Sequence, residues 1–275
     1  MLPYYINREF NTGILEGIQD TLTKQDYMAL IISVDGTKED IKHSHQLIER
    51  RVDGVIFRPH PMGESDAYLR ELMRHHVPLV SVVDVEQSLK HPLDFVGVDE
   101  AAHGRMAAEH LLELGHRRIG FTRIGDARFD VPLKERHREF VATVKKAGGE
   151  VVDTPQSDSP DFDPVAVRAL LTGRKRPTAV FCSVDDIAFK TLCIARSLGL
   201  SVPGDLSILG SANYEAGQYV DPALTTFDLH PMDIGRQAGE ILLGRVVKNP
   251  KKRAVSRIHV SPRLVSRGST APANP

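Results

Sequence analysis

The stretch that decides the fold is Val220–Val247, VDPALTTFDLHPMDIGRQAGEILLGRVV. It is framed by LSILG at Leu206–Gly210 and by SPRLVSRGST at Ser261–Thr270. Leu206–Leu209 is a short apolar run, the pattern of a buried strand, and it stops at Gly210. The following loop closes on Asp221-Pro222. Thr225-Thr226 then leads through a short extended link into a helix carrying Ile234, Ala238, Ile241 and Leu242 on its apolar side. A last strand is expected over Ile258–Val265.

The same alternation runs back to the start of the chain. Strands are expected at Ala29–Val34, Gly54–Arg58, Leu79–Val83, Phe95–Val98, Arg118–Thr122 and Thr178–Cys182. Between them lie helical stretches at Phe10–Lys24, Asp40–Arg51, Glu64–His75, Ala102–Leu114, Leu133–Ala147, Pro164–Leu171 and Ile187–Leu198. Short apolar strands alternating with helices imply α/β units with parallel sheets covered on both faces. Gly115, Gly148 and Gly199 each follow a predicted helix and suit a left-handed C-cap. Two runs of this pattern make two similar lobes, and ligands in such folds sit at the carboxyl ends of the strands. A bilobal protein that closes on a ligand about hinge segments is the expectation.

Composition narrows the function. The chain has 275 residues, 41% of them hydrophobic and 26% charged, with a formal net charge of −1. That is an ordinary globular balance and not the basic surface of a nucleic-acid reader. The basic run Lys248–Arg253 reads as a solvated loop. No apolar run approaches the ~20 residues that span a bilayer, and Met1-Leu2-Pro3-Tyr4 does not open like a signal peptide. Cys182 and Cys193 read as free buried thiols in a reducing, cytoplasmic setting. Catalysis is not expected: there is no Gly-x-Gly-x-x-Gly, P-loop, His-Glu-x-x-His or Gly-x-Ser-x-Gly. His43, His45, His75 and His76 have no convincing metal spacing, so neither a metal nor a cofactor is expected.

At this point the chain resembles the sensor half of the LacI/GalR family of bacterial transcription regulators. The family ends in the same order: strand-Gly loop, Pro-x-Leu-Thr-Thr crossover, amphipathic helix, and a strand finishing in Arg-Gly-Ser-Thr. The most specific block is Val96–Phe121, VGVDEAAHGRMAAEHLLELGHRRIGF. Ile48–Phe57, Val77–Val80, Lys134–Phe140 and Arg176–Asp205 add to it. The resemblance implies a periplasmic-binding-protein-like fold of type I: two Rossmann-like, parallel-sheet lobes with three crossovers. These are expected near Val98–Glu100, Phe227–His230 and Arg253–Ile258. One lobe would be 1–98 plus 231–252, the other 99–230 plus 253–275, with a frayed tail at Ala271–Pro275. The family's helix-turn-helix is expected to be absent from this chain, and Met1-Leu2 to be only the remnant of its first strand.

The resemblance also implies a small-molecule effector held in the interlobe cleft, a homodimer, and contact with operator DNA only through the domain this chain lacks. The first loop offers Arg8, Phe10 and Asn11. Arg58 and Asp84 follow strands of the same lobe. In the other lobe the candidates are Arg128, Arg136, Asp185, Asn213 and Tyr214. Arg136 matches the arginine that holds effector oxygens in the family; its plain alternative is a surface ion pair with Glu135 or Glu139. Asp185 matches an acidic residue whose family role is often helix capping. Two family ligands are missing: an Asn is Val184 here, and an Asp is Ala212. Arg123, Asp126, Arg128 and Asp130, in the loop after the first strand of that lobe, re-supply polarity; with Arg58 and Arg136 the pocket reads as cationic, which would favour a sugar acid or sugar phosphate. The rival reading is a stand-alone solute-binding protein of a sugar transport system.

Overall fold

A computed structural model describes residues 8–31, 52–59, 66–83, 93–123, 131–154, 162–247 and 254–274. Contacts between Cα atoms divide the chain into two compact units: Met1–Val98 with His230–Val260, and Asp99–Leu229 with Ser261–Pro275.

The first unit holds a parallel sheet in the order β1-β2-β3-β9, formed by β1 (Val55–Phe57), β2 (Leu79–Val82), β3 (Asp94–Val98) and β9 (Arg257–Val260). Its helices are α1 (Arg8–Thr23), α2 (Asp66–Arg74) and α7 (Pro231–Val247). β2 and β3 are buried along their whole length, as a doubly covered parallel sheet requires. Leu69 and Leu72 of α2 seal one patch of core against Leu79 and Phe57. Helices α1 and α7 lie backbone to backbone. A Cβ added at Gly17 would come within 2.1 Å of the Met232 carbonyl oxygen, and one at Gly235 within 2.0 Å of that of Ile14.

The second unit repeats the design. Its parallel sheet runs β5-β4-β6-β7, with β4 (Arg118–Thr122), β5 (Glu150–Asp153), β6 (Ala179–Cys182) and β7 (Ser207–Leu209). Helices α3 (Glu100–Glu113), α4 (Val131–Lys146), α5 (Pro164–Thr172) and α6 (Asp185–Ser197) belong to it. An antiparallel pair, β8 (Thr226–Asp228) with β10 (Arg263–Val265), stands just before the crossing at Leu229–His230 and just after the one at Val260–Ser261. The core combines Val180, Ile187, Leu192, Leu206 and Ile208 with an aromatic cluster of Phe121, Phe140, Phe181 and Phe227. Gly115, Gly148 and Gly199 carry φ of 86°, 74° and 74°, the left-handed caps read from the sequence.

Several expectations are corrected. The last strand is two, β9 and β10, because Ser261-Pro262 interrupts it. β9 pairs in parallel with β3, so 253–260 falls with the first unit and the third crossing lies at Val260–Ser261. Of the strand expected at Ala29–Val34, the described part, Ala29–Ile31, is not a strand: Leu30 and Ile31 are exposed, and no described residue gives them a hydrogen-bonded neighbour. The rest of it, and the helix expected at Asp40–Arg51, lie outside the described residues. Glu150–Asp153 was not read as a strand: two glycines and two acids around Val151-Val152 hide a short edge. The tail does not fray over its described part. The Ala271 amide donates to Ser207 Oγ at 3.0 Å, the Ala273 amide to the Leu114 carbonyl at 2.7 Å, and Asn274 Nδ2 to the Gly204 carbonyl at 2.8 Å. Cys182 is buried, but Cys193 is exposed on α6.

Candidate functional site

In the second unit, β6 and β7 end side by side at Cys182 and Leu209, and the chain continues into Ser183-Val184 and Gly210-Ser211. The carboxyl ends of parallel strands are where such sheets take ligands. Arg136 reaches this place from α4 and is buried. Its Nε and Nη2 donate to the two carboxylate oxygens of Glu100, at 2.6 and 2.9 Å. Its Nη1 donates to the Ser183 carbonyl at 2.8 Å and reaches Ser211 Oγ at 3.4 Å. One guanidinium therefore ties the start of α3 to both strand ends. The plain alternative of a surface pair with Glu135 or Glu139 is overturned, since those two carboxylates are taken by Arg138.

The local sequence explains this placement. Asp99 caps α3 by accepting from the Ala102 amide at 2.8 Å, which sets Glu100 in the helix's first turn, where a carboxylate is favoured. Gly104, one turn on, lets α4 approach: a Cβ there would be 2.0 Å from the Arg136 carbonyl oxygen. Burial pushes the Glu100 carboxyl up, but the Arg136 charge, the nearby His103 ring and the hydrogen bonds from Arg136 outweigh it and hold it at about 2. His103 is wholly buried beneath the pair, with Nδ1 3.5 Å from Glu100 and its ring against Phe181 and Phe227. Burial, and then the Arg136 charge, bring it down to about 4, so it is neutral at pH 7.

Asp185 begins α6 and is fully buried. No side-chain hydrogen bond caps α6 at Val184. Asp185 instead accepts from the Tyr214 amide at 2.7 Å and from Thr226 Oγ1 at 2.6 Å, while its own amide donates to the Ser211 carbonyl at 2.9 Å. It pins the loop after β7 to β8, so the capping role is replaced by a bridging one. Burial raises its carboxyl to about 6 against the pull of these donors. Asn213 accepts from Arg267 Nη2 at 2.7 Å, and Tyr214 is buried. Ala212 and Asn213 both have positive φ, 112° and 53°. Arg128 lies outside the described residues, as do Asp126 and Asp130.

In the first unit, Arg58 follows β1 and its Nη1 donates to Asn11 Oδ1 at 2.9 Å, so two of the predicted residues meet. Asn11 Nδ2 is buried without a hydrogen-bond partner among the described residues. Phe10 is buried on α1 with Ile14 and Ile18. Arg8 is the first residue of α1. Asp84 lies outside the described residues; Val83 before it has φ of 71°, unusual for a β-branched residue at a strand end. Sequence reasoning missed Glu100, His103, Ser183, Ser211 and Thr226. Only Glu100 left a trace, an acid directly after the helix cap.

Residues 108–270 match the periplasmic binding protein-like domain family. The HTH-type transcriptional repressor PurR of Photorhabdus laumondii is 31% identical over 267 residues, 93% of this chain and 74% of that protein. PurR of Proteus mirabilis is 31% identical over 94% of this chain and 75% of its own length. The chain belongs to the LacI family of transcription regulators. Among solved structures, a LacI family regulator from Enterococcus faecium with bound ribose superposes with TM-score 0.83 at 26% identity, over 99% of this chain and 98% of the other. One from Mycobacterium smegmatis gives 0.77 at 28% identity, over 96% of each chain. The match to LacI family regulators covers both units, so the strand-end faces just described lie within the effector-binding region. Among the described residues no helix is long and apolar enough to cross a membrane, and no group of three or more His, Cys, Asp or Glu could hold a metal ion.

Proposed function

We propose that this chain is the effector-sensing and dimerisation domain of a LacI-type repressor, acting in the cytoplasm and without catalytic activity. The observation that carries the reading is the polar cluster at the strand ends of the second unit, in a chain whose 26%-identical relative holds ribose. Asn11 with Arg58, at a strand end of the first unit, is the other candidate polar set, and the effector is a sugar or a sugar derivative. The ligand shifts the population of sensor conformations, and an attached DNA-binding domain reads that shift.

The test is a thermal-shift and calorimetric screen of the purified chain against pentoses, hexoses, nucleosides and nucleobases. A ligand that binds the native state raises Tm by mass action. The expected result is a saturable shift with one of these classes, weakened by Asn11→Ala and by Arg58→Ala. A well-folded chain that answers to none of them would refute the reading. Sedimentation velocity giving a monomer at micromolar concentration would refute the dimer.

A further inference from the structure

We propose that Glu100 sets the charge class of the effector. By neutralising Arg136 it makes the strand-end face of the second unit select an uncharged, hydroxyl-bearing molecule over a sugar acid or sugar phosphate. This rests on the sensing function proposed above, and it takes Arg136 out of the cationic set expected from the sequence.

The argument is one of charges and donors. An arginine at a strand end recognises carboxylate or phosphate with its planar fork. In Arg136 that fork is already filled: Nε and Nη2 face both oxygens of Glu100, and Nη1 faces Ser183 and Ser211. Both partners are buried, so water weakens their attraction little. Removing Glu100 from Arg136 would strand a buried carboxylate beside His103, which is neutral and cannot replace the lost charge. The second carboxylate here, Asp185, is held by Thr226 Oγ1 and the Tyr214 amide, and the guanidinium of Arg267 is engaged by Leu224 and Asn213. Around Arg136, then, this face holds one compensated ion pair, Arg136 with Glu100, and a buried carboxylate, Asp185, held by hydrogen-bond donors, while Arg123 follows β4 at the neighbouring strand end. The face presents hydroxyls, carbonyls and amides, the groups that suit a neutral polyol. An anion arriving at Arg136 would meet a guanidinium whose charge Glu100 already offsets.

The test is calorimetry and thermal shift on the chain, on Glu100→Gln and on Glu100→Gln/Arg136→Gln. The probes are inorganic phosphate, ribose and ribose 5-phosphate. The wild type is expected to show no saturable response to phosphate and no preference for the phosphorylated sugar. Glu100→Gln leaves the guanidinium uncompensated and should bind phosphate about tenfold more tightly than the wild type. The double variant should lose that gain. Should Glu100→Gln fail to fold, Glu100→Asn repeats the test with a smaller amide suited to the first turn of a helix. The proposal is overturned if the wild type binds phosphate as tightly as the variant, if the amide variants gain nothing, or if the gain survives loss of Arg136. A chain that ignores every neutral ligand, yet gains Arg136-dependent phosphate binding on Glu100→Gln, would refute the sugar-sensing function and leave the charge assignment standing. A chain that binds a neutral ligand while its amide variants gain nothing would do the reverse.

Discussion

Arg245 closes on Asp94 through two hydrogen bonds of 2.7 Å, from Nε and from Nη2, and both residues are buried. The pair resembles Arg136 with Glu100 in chemistry and differs in place. Asp94 is the first residue of β3, so the pair lies at the amino end of the sheet, away from the strand ends that take ligands. The same carboxylate accepts the Ser256 amide at 2.7 Å, and Arg245 Nη2 donates to the Ala254 carbonyl at 2.8 Å. The pair thus anchors the chain as it returns from α7 to β9. Asp94→Ala leaves a buried guanidinium uncompensated and is expected to cost about 3 kcal/mol in urea denaturation, with ligand affinity unchanged at saturating native protein. A loss within about 0.5 kcal/mol, the range of an exposed substitution, would show that the pair is not an anchor.

The contrast between these two pairs shows what the sequence could tell. Strands β2, β3, β4, β6 and β7 were legible because each is a compact apolar run between helical periodicities. Arg136 could be singled out by resemblance, but its partner could not: Glu100 lies 36 residues away, and only the close approach of α3 and α4 brings the two together. Asp185 was legible as an acid after a strand. Its bond to Thr226, across 41 residues, was not. Such pairings depend on packing geometry, which a local pattern does not encode.

Gly104 tests whether the α3–α4 approach is what positions Arg136. In an ordinary helix interior, Gly→Ala stabilises by about 1 kcal/mol. Here the added methyl would sit 2.0 Å from the Arg136 carbonyl oxygen and 3.0 Å from the Phe140 amide nitrogen, both backbone atoms. The helices must separate, so Gly104→Ala should destabilise by roughly 1–3 kcal/mol and weaken effector binding as well. Equal or greater stability would mean that the helices can part at no cost.

Ala212 makes the reverse case. Its φ of 112° places an L-residue where glycine is at ease, in the loop that Asp185 holds by the next amide but one. Ala212→Gly removes that strain and loses a partly exposed methyl. It should stabilise by about 0.5–1 kcal/mol and raise Tm by a few degrees. If the strain serves to preorganise the loop, effector affinity will fall in the same variant while stability rises. A variant less stable than the wild type would show that the conformation carries no strain.

The buried titratable groups of the second unit give stability a pH dependence whose sign can be worked out. Glu100 is held at about 2, below its ordinary 4.5, so its contribution is complete above 4.5 and is lost as pH falls toward 2. His103, brought from 6.5 to about 4, is neutral in the fold while the unfolded chain takes up a proton below 6.5. It therefore costs stability as pH falls from 6.5 to 4, by roughly 3 kcal/mol at most. Asp185, raised from 3.8 to about 6, works against both. The folded chain binds its proton first, so stability is gained as pH falls from 6 to 3.8. Between pH 6.5 and 4 His103, joined by His116 and His110, which burial also pushes down, opposes the aspartate, and the wild type should lose Tm as pH falls there. His103→Leu removes the largest part of the loss and should lose less Tm on acidification from pH 6.5 to 4 than the wild type. Asp185→Asn removes the gain and should lose stability more steeply than the wild type over the same range. Parallel Tm profiles for all three proteins from pH 4 to 7 would show that neither group changes its protonation on folding.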